Sequence, residues 1–382
     1  MFIINKFLII AAAAGALFSL SAEAYETKAR NAILMDAQTG EYLFVKDHQK
    51  MVPPASMSKL MTIYLLFDEL KKGNISLEDN FSVSENAWQK GGAATGGSTM
   101  FLKIGDEVKV EDLIRGIIIQ SGNDACIVAA ENIAGTEEEF VAMMNEKAAE
   151  IGLNNSNFAN STGLPHPDHK MSVEDLAKLS EMIINEFPEY YHIFSQKEFT
   201  YNGIKQGNRN PLLYSLNGAD GLKTGHTEEA GFSLTASAKR GDRRLIAVMA
   251  GMKSNKERAE ESNSLMTYGF SEFDNYNLLN ADEDIVQIPV WYGKEKTVAA
   301  GVQKDVIKTM QRIKSKSAKI KVYYDKPITA PIEKGQKVGK IVVEYDENKT
   351  SYPLIAKNDV ARVGVFGKFM ANIKYLILGD KQ

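Results

Sequence analysis

The order of apolar and polar positions along the 382-residue chain predicts two folded textures and an apolar segment at each end. From Arg30 to about Phe273, strand-like alternation and helix-like spacing take turns. Asn31-Ala32-Ile33-Leu34-Met35-Asp36, the polar Thr39-Gly40, and Tyr42-Leu43-Phe44-Val45 predict a hairpin. After Pro53-Pro54 a helix is expected from about Ser56 to Leu70, with Gly73 beyond its end. Further helices are expected from Val110 to Gln120, Asp124 to Ile133 and Ser172 to Ile184. The last has Ser172 as its cap and Asp175 as the acid of a capping box. Gly231 to Ala236 and Arg244 to Met249 read as strands joined by a turn at Gly241-Asp242. Helices set between runs of strands predict an α+β domain.

After Asp284 the pattern changes to short alternating strands, Lys319 to Tyr324, Lys340 to Tyr345 and Ser351 to Ala356, with turn residues between them. This predicts a small all-β domain. In the last segment Phe366, Phe369, Met370, Ile373, Leu376 and Ile377 recur at helical spacing, with Lys368, Asn372 and Lys374 off that stripe. Periodicity alone leaves two readings open, an amphipathic helix lying in a membrane surface or one docked on the protein's own core.

The N-terminus carries Lys6 ahead of an apolar run from Phe7 to Leu20, then Ser21-Ala22-Glu23-Ala24. That is the layout of a secretory signal cleaved before Tyr25, and the run falls short of the ~20 residues that span a bilayer. The expected division is therefore a signal at 1–24, a main domain at 25–282, a small β domain at 283–360 and an amphipathic segment at 361–382. A mature chain working outside the cytoplasm meets disulfide-permitting conditions, but Cys126 is the only cysteine and cannot pair within the chain.

The net charge of −4 conceals an asymmetry. Residues 291–382 hold nineteen Lys and Arg against nine acids, an excess of ten positive charges, so the remainder carries −14. No nucleic-acid-binding motif accompanies the basic part, and no nucleic-acid partner is expected. An anionic membrane surface fits better, and with the export signal it favours the membrane reading of the last segment.

Three constellations carry chemistry. Ser56-Met57-Ser58-Lys59 sets a hydroxyl and an amine three residues apart, on one helical face, so that Lys59 can take the proton of Ser56. That demands a lysine pKa far below ~10.4, which burial and a second cation such as Lys223 promote. The Ser56 amide, at a helix start, is free to bind an oxyanion. Taken alone the pair reads as a capped helix with a solvated lysine. Ser121-Gly122-Asn123 offers a proton relay and an amide for hydrogen bonding; alone it is a polar loop capping the next helix through Asp124. Lys223-Thr224-Gly225-His226 offers a cation and hydroxyl for an anionic group, a glycine for close substrate approach, and the His226 amide for an oxyanion. Alone it is a turn.

Together, in this order, the three resemble the S-x-x-K, S-D-N and K-T-G set of class A β-lactamases and penicillin-binding proteins. The stretches Pro54 to Thr62, Ile119 to Cys126 and Asp220 to Thr227 resemble the D-alanyl-D-alanine carboxypeptidases, the low-molecular-mass penicillin-binding proteins that trim bacterial peptidoglycan. The likeness covers nearly the whole chain, with signal, catalytic domain, β domain and C-terminal segment in the same order. It implies a penicillin-binding, β-lactamase-like transpeptidase fold and removal of the terminal D-alanine from stem pentapeptides. It implies Ser56 as nucleophile, Lys59 as base, Ser121 and Lys223 moving protons, and Asn123 holding the peptide. Thr224, Lys223 and Arg209 would meet the terminal carboxylate, a planar guanidinium suiting that group. It also implies β-lactam antibiotics as ligands, no cofactor, and a place on the periplasmic face of the cytoplasmic membrane.

Two rivals remain on sequence. A class A β-lactamase would need a water-activating glutamate, but Glu174 lies outside an E-x-x-L-N setting, and the middle motif is Ser-Gly-Asn rather than Ser-Asp-Asn. A non-catalytic wall-binding protein would not need Ser56, Lys59 and Lys223. His166 and His169 flank Pro167-Asp168 without a third ligand, so no metal site is expected. The glycine-rich run 91–97 lacks a phosphate-loop lysine and reads as a mobile flap over the cleft. Cys126, close to Asn123, reads as a packed, inert thiol.

Overall fold

The computed structural model describes Phe2–Ile3 and residues 25–378. The expected signal segment lies almost wholly outside the described residues, as does the tail from 379. The chain divides into two compact units between Ser271 and Glu272.

The first unit is built on a five-stranded antiparallel sheet. Its strands are β1 (Asn31–Asp36), β2 (Tyr42–Lys46), β3 (Ala219–Thr227), β4 (Gly231–Arg240) and β5 (Arg243–Met252), in the spatial order β3-β4-β5-β1-β2. The expected hairpin is present, its turn eased by Gly40 at φ 70°. Every residue of β1 is buried, as a strand covered on both faces requires. Ile33 and Met35 join a large helical core, whereas Ala32 and Leu34 join a second cluster with Leu265 and Met266.

The helices that matter for the site are α1 (Lys59–Lys72), α2 (Asn123–Ala134), α3 (Val173–Glu186) and α4 (Asn255–Glu272). From Lys59 to Phe67 α1 is buried on all sides, and burial of its Leu, Ile and Phe side chains stabilises the unit by about 1.5–3 kcal/mol each. Gly73 ends it at φ 75°. Ser172 caps α3 by accepting from the Asp175 amide at 3.0 Å. The expected capping box is only half made. The Asp175 carboxylate turns instead to the Asn155 amide and Ser156 hydroxyl, at 2.7 and 2.8 Å.

In the second unit, Lys319–Tyr323, Lys337–Tyr345, Asn348–Ala356, Thr297–Gly301 and Val286–Trp291 pair in that order, all antiparallel, over a core including Ile288, Val298, Ile341 and Leu354. The division falls earlier than the expected 282/283 because Phe273–Leu279 pairs with Val306–Gln311, which ties it to the β unit. A last helix, α5 (Val365–Leu378), lies where the apolar stripe placed it. Phe366 is 78% exposed and Phe369 61%, so these rings do not dock on a core. The side chains of Leu376 and Ile377 lie outside the described residues.

Candidate active site

Ser56 is not on the α-helix that its spacing predicts. It sits in a 3-10 turn, Ala55–Ser58, that runs into α1 at Lys59. The three-residue separation survives this change, because residues i and i+3 eclipse on a 3-10 helix. Lys59 Nζ donates to Ser56 Oγ at 3.0 Å and to Asn123 Oδ1 at 2.8 Å, and it also donates to the Thr162 carbonyl. Ala55, just before the serine, has φ 49°, a left-handed conformation that a non-glycine residue holds only when its surroundings impose it.

Ser121 and Asn123 come from the junction between two further helical segments. The expected Val110–Gln120 helix is α-helical to Arg115 and a π-helical turn from Gly116 to Gln120. Ser121 follows at φ 62°, another left-handed residue, and α2 starts at Asn123. Asp124 does not cap α2; its carboxylate bonds elsewhere, chiefly to the segment around Met100.

Lys223 and Thr224 lie on β3, an edge strand of the sheet. Lys223 Nζ donates to Ser121 Oγ at 2.9 Å. Gly225 was expected to admit substrate backbone. In the structure a Cβ there would stand 2.8 Å from the Pro54 carbonyl and 3.1 Å from Met57 Cγ, so this glycine lets β3 close on the Ser56 turn. The His226 ring stacks on Phe232, centroids 3.9 Å apart.

One cleft of about 490 Å³ brings together Ser56, Ser121, Asn123, Arg209, Thr224, Gly225 and His226. Lys59 and Lys223 lie buried against it. No carboxylate lines the cleft, among the described residues, while two guanidiniums do, Arg209 and Arg258. Glu174 is held by the Tyr42 hydroxyl at 2.9 Å and is no part of it. The glycine-rich run 91–97 forms the end of a helix and a 3-10 turn, placing Gly96 and Gly97 on the wall. His169 is buried and accepts from the Ala159 amide at 3.0 Å, and Cys126 is buried behind the site.

The electrostatics follow from burial. Burial lowers the Lys59 pKa to about 8, with the Arg209 charge helping and Asp124 opposing. About one lysine in ten is then neutral at pH 7. Burial also pushes Lys223 well below its ordinary range, and next to burial the cause is the Lys59 charge. Burial is thus the first cause for both amines, and because repulsion between them is mutual, charge on either lysine disfavours charge on the other. Arg258 is lowered to about 10 by burial and then by Arg209.

The comparisons with known proteins come to the same place. Residues 18–254 match the D-alanyl-D-alanine carboxypeptidase family, and residues 273–362 match the C-terminal domain of penicillin-binding protein 5. The chain belongs to the D-alanyl-D-alanine carboxypeptidase family. Within it, the chain is 41% identical over 350 residues to the carboxypeptidase DacC of Escherichia coli, covering 91% of this chain and 88% of that one. Penicillin-binding protein 5 of Haemophilus influenzae superposes with a TM-score of 0.79 at 38% identity, over 89% of this chain and 99% of that one. Penicillin-binding protein D2 of Listeria monocytogenes, solved in its ampicillin-bound form, gives 0.57 at 28% identity, over 65% and 99%.

The sequence reading missed Ser98, Thr162 and Arg258. Arg258 carries no local signal, being one arginine in a charged helix. Thr162 contributes a backbone carbonyl, which no side-chain pattern reveals, although Gly163 beside it marks a turn.

Proposed function

We propose that this member of the family removes the terminal D-alanine from peptidoglycan stem pentapeptides through an acyl-enzyme on Ser56. The observation that carries the reading is the 3.0 Å approach of a fully buried Lys59 to Ser56 Oγ, in a cleft that among the described residues is lined by guanidiniums and by no carboxylate. Ser56 Oγ attacks the carbonyl carbon between the two D-alanines while neutral Lys59 takes its proton. The Ser56 and His226 amides receive the oxyanion. The peptide C–N bond then breaks, and the departing amine takes a proton delivered from Lys59 or along Ser121 and Lys223. Water cleaves the ester and restores Ser56. Asn123 orients the donor peptide, and Arg209 with Thr224 and Lys223 binds the terminal carboxylate, a charge-assisted interaction in a partly buried setting.

β-Lactams enter the same scheme by presenting a strained amide beside a carboxylate. We further propose that residues 1–24 direct export and that α5 rests in the membrane surface, which places the enzyme on the periplasmic face of the cytoplasmic membrane. The exposed Phe366 and Phe369 support this, and no helix among the described residues is long and apolar enough to cross a membrane.

The test is to treat the purified chain from Tyr25 with a labelled penicillin and map the adduct. A long-lived ester on Ser56 is expected, with release of D-alanine from a peptide ending in D-alanyl-D-alanine. Rapid turnover of the penicillin would indicate a β-lactamase, and no adduct would defeat both enzymatic readings.

A further inference from the structure

The cleft wall that carries Ser98 has no regular secondary structure, yet it touches two groups of the site at once. Ser98 Oγ accepts from Arg209 Nη1 at 2.6 Å, and the Ser98 carbonyl accepts from the Asn123 amide at 2.8 Å. Met100 and Leu102 are buried in the core, Gln206 Nε2 donates to the Thr99 carbonyl at 3.2 Å, and one buried carboxylate gathers most of the segment's remaining donors. Asp124 accepts from the Thr99 hydroxyl at 2.6 Å, the Met100 amide at 2.8 Å and the Leu102 amide at 3.1 Å, and from the Ala125 amide on its own helix at 2.9 Å. It is 0% exposed and, among the described residues, forms no ion pair. A buried carboxylate is stabilised by such a set of donors, and each bond to a charged acceptor is about twice as strong as a neutral one. The wall also bears strain that those bonds offset. Phe101 stands at φ 64°, its amide donating to Thr99 Oγ at 3.0 Å. Glycines close on the carboxylate's helix end, since a Cβ on Gly122 would stand 2.8 Å from Asp124 Oδ1.

We propose that Asp124 is a positioning residue for the acylation reaction: its carboxylate fixes residues 99–102 and, through Ser98, the placement of Asn123 and Arg209 in the cleft. This rests on the reading of the cleft as a serine acylation site. Asn123 in turn accepts from Lys59, so a loosened wall reaches the base as well as the carboxylate-binding arginine. The carboxylate acts on Lys59 through charge too. Lys59 is faced by Asp124 and Cys126 from α2, Lys223 from β3, Arg209 from the loop before Pro211, and His169. Of these, Cys126 and then Asp124 favour the protonated amine, while Arg209 disfavours it.

The experiment compares full-length wild type with Asp124→Asn and Thr99→Val. Asparagine keeps the shape but turns an N–H group toward backbone N–H groups and removes the charge. Valine removes one donor and leaves the charge. Folded protein is counted by circular dichroism and thermal unfolding, and the readouts are penicillin acylation and KM and kcat for a D-alanyl-D-alanine peptide across pH. Asp124→Asn is expected to slow acylation of the folded fraction by roughly 10–100-fold, the loss typical of displaced catalytic groups, with KM raised. The rise of its rate with pH is expected to begin lower than in wild type. Thr99→Val is expected to lose about threefold with that rise unmoved, one donor of several being gone. A folded Asp124→Asn protein with wild-type rate, KM and pH dependence overturns the proposal. If that variant does not fold, wild-type kinetics in Thr99→Val overturn it instead. A wild-type protein that forms no adduct marks failure of the acylation reading itself, a result separate from either variant.

Discussion

Lys59 Nζ reaches Ser56 Oγ across 3.0 Å at the junction of a 3-10 turn and an α-helix. The charged amine donates in this contact. On losing a proton it can accept from the serine hydroxyl without any change of geometry, and the Lys59 pKa of about 8 decides how often that state occurs. Because the active form is the neutral one and its pKa is depressed, acylation grows as pH rises. The rate of penicillin acylation is expected to climb about tenfold per pH unit below 7 and to level off above about 8. Lys59→Ala is expected to abolish acylation in a protein that still unfolds cooperatively. An active variant, or a rate flat from pH 5 to 9, would remove Lys59 from the role of base.

Arg209 lies in the cleft with its guanidinium on Ser98 Oγ, and burial lowers its pKa. If it receives the terminal carboxylate, Arg209→Ala removes a hydrogen bond to a charged group, about 1.5–3 kcal/mol, or roughly a 10–150-fold rise in KM. The effect is expected for peptides with a free C-terminus and not for the same peptides amidated. Equal losses for both would place Arg209 in the fold rather than in recognition.

Much of this site was legible because its motifs are local. Three short stretches supply Ser56, Lys59, Ser121, Asn123, Lys223 and Thr224, and periodicity placed Lys59 on its helix and Ser121 between two helices, while the strand under Lys223 and Thr224 was not predicted. What escaped was set by long-range packing. The turn at Ser56 is 3-10 rather than α and begins at a left-handed Ala55, and the stretch before Ser121 widens into a π turn; periodicity distinguishes neither from an α-helix. The depth at which both lysines are buried, the first cause of their lowered pKa values, is likewise something a sequence does not state. Arg258 and the wall held by Asp124 join the site only through tertiary structure.

Deleting residues 361–382 tests the membrane proposal. Phe366, Phe369 and Met370 are exposed along one side of α5, enough apolar area to favour an interface over water. The truncated protein is expected to leave vesicles containing anionic lipid and to keep its acylation rate. Retention on the vesicles would exclude α5 as the anchor, and a full-length chain that never bound them would dismiss the anchor altogether.

Gly163 and Gly40 separate the demands of backbone conformation from those of space. Both have positive φ, 77° and 70°, so alanine at either costs about 1–2 kcal/mol in left-handed strain. Around Gly40 there is nothing within 4 Å of a built Cβ. At Gly163 the same atom would overlap the Ala55 carbonyl, standing 2.6 Å from its carbon and 2.7 Å from Ser58 Oγ. Those atoms belong to the turn that presents Ser56, and the neighbouring Thr162 carbonyl accepts from Lys59, so relief must move the nucleophile, the base or both. Gly40→Ala is expected to lower thermal stability slightly and leave penicillin acylation at the wild-type rate. Gly163→Ala is expected to slow acylation of folded protein by at least about tenfold, as misplacement by a fraction of an ångström does at a reacting centre. Equal kinetics in the two variants would mean that the loop carrying Thr162 yields freely, and that its contact with the Ser56 turn does not set the geometry of attack.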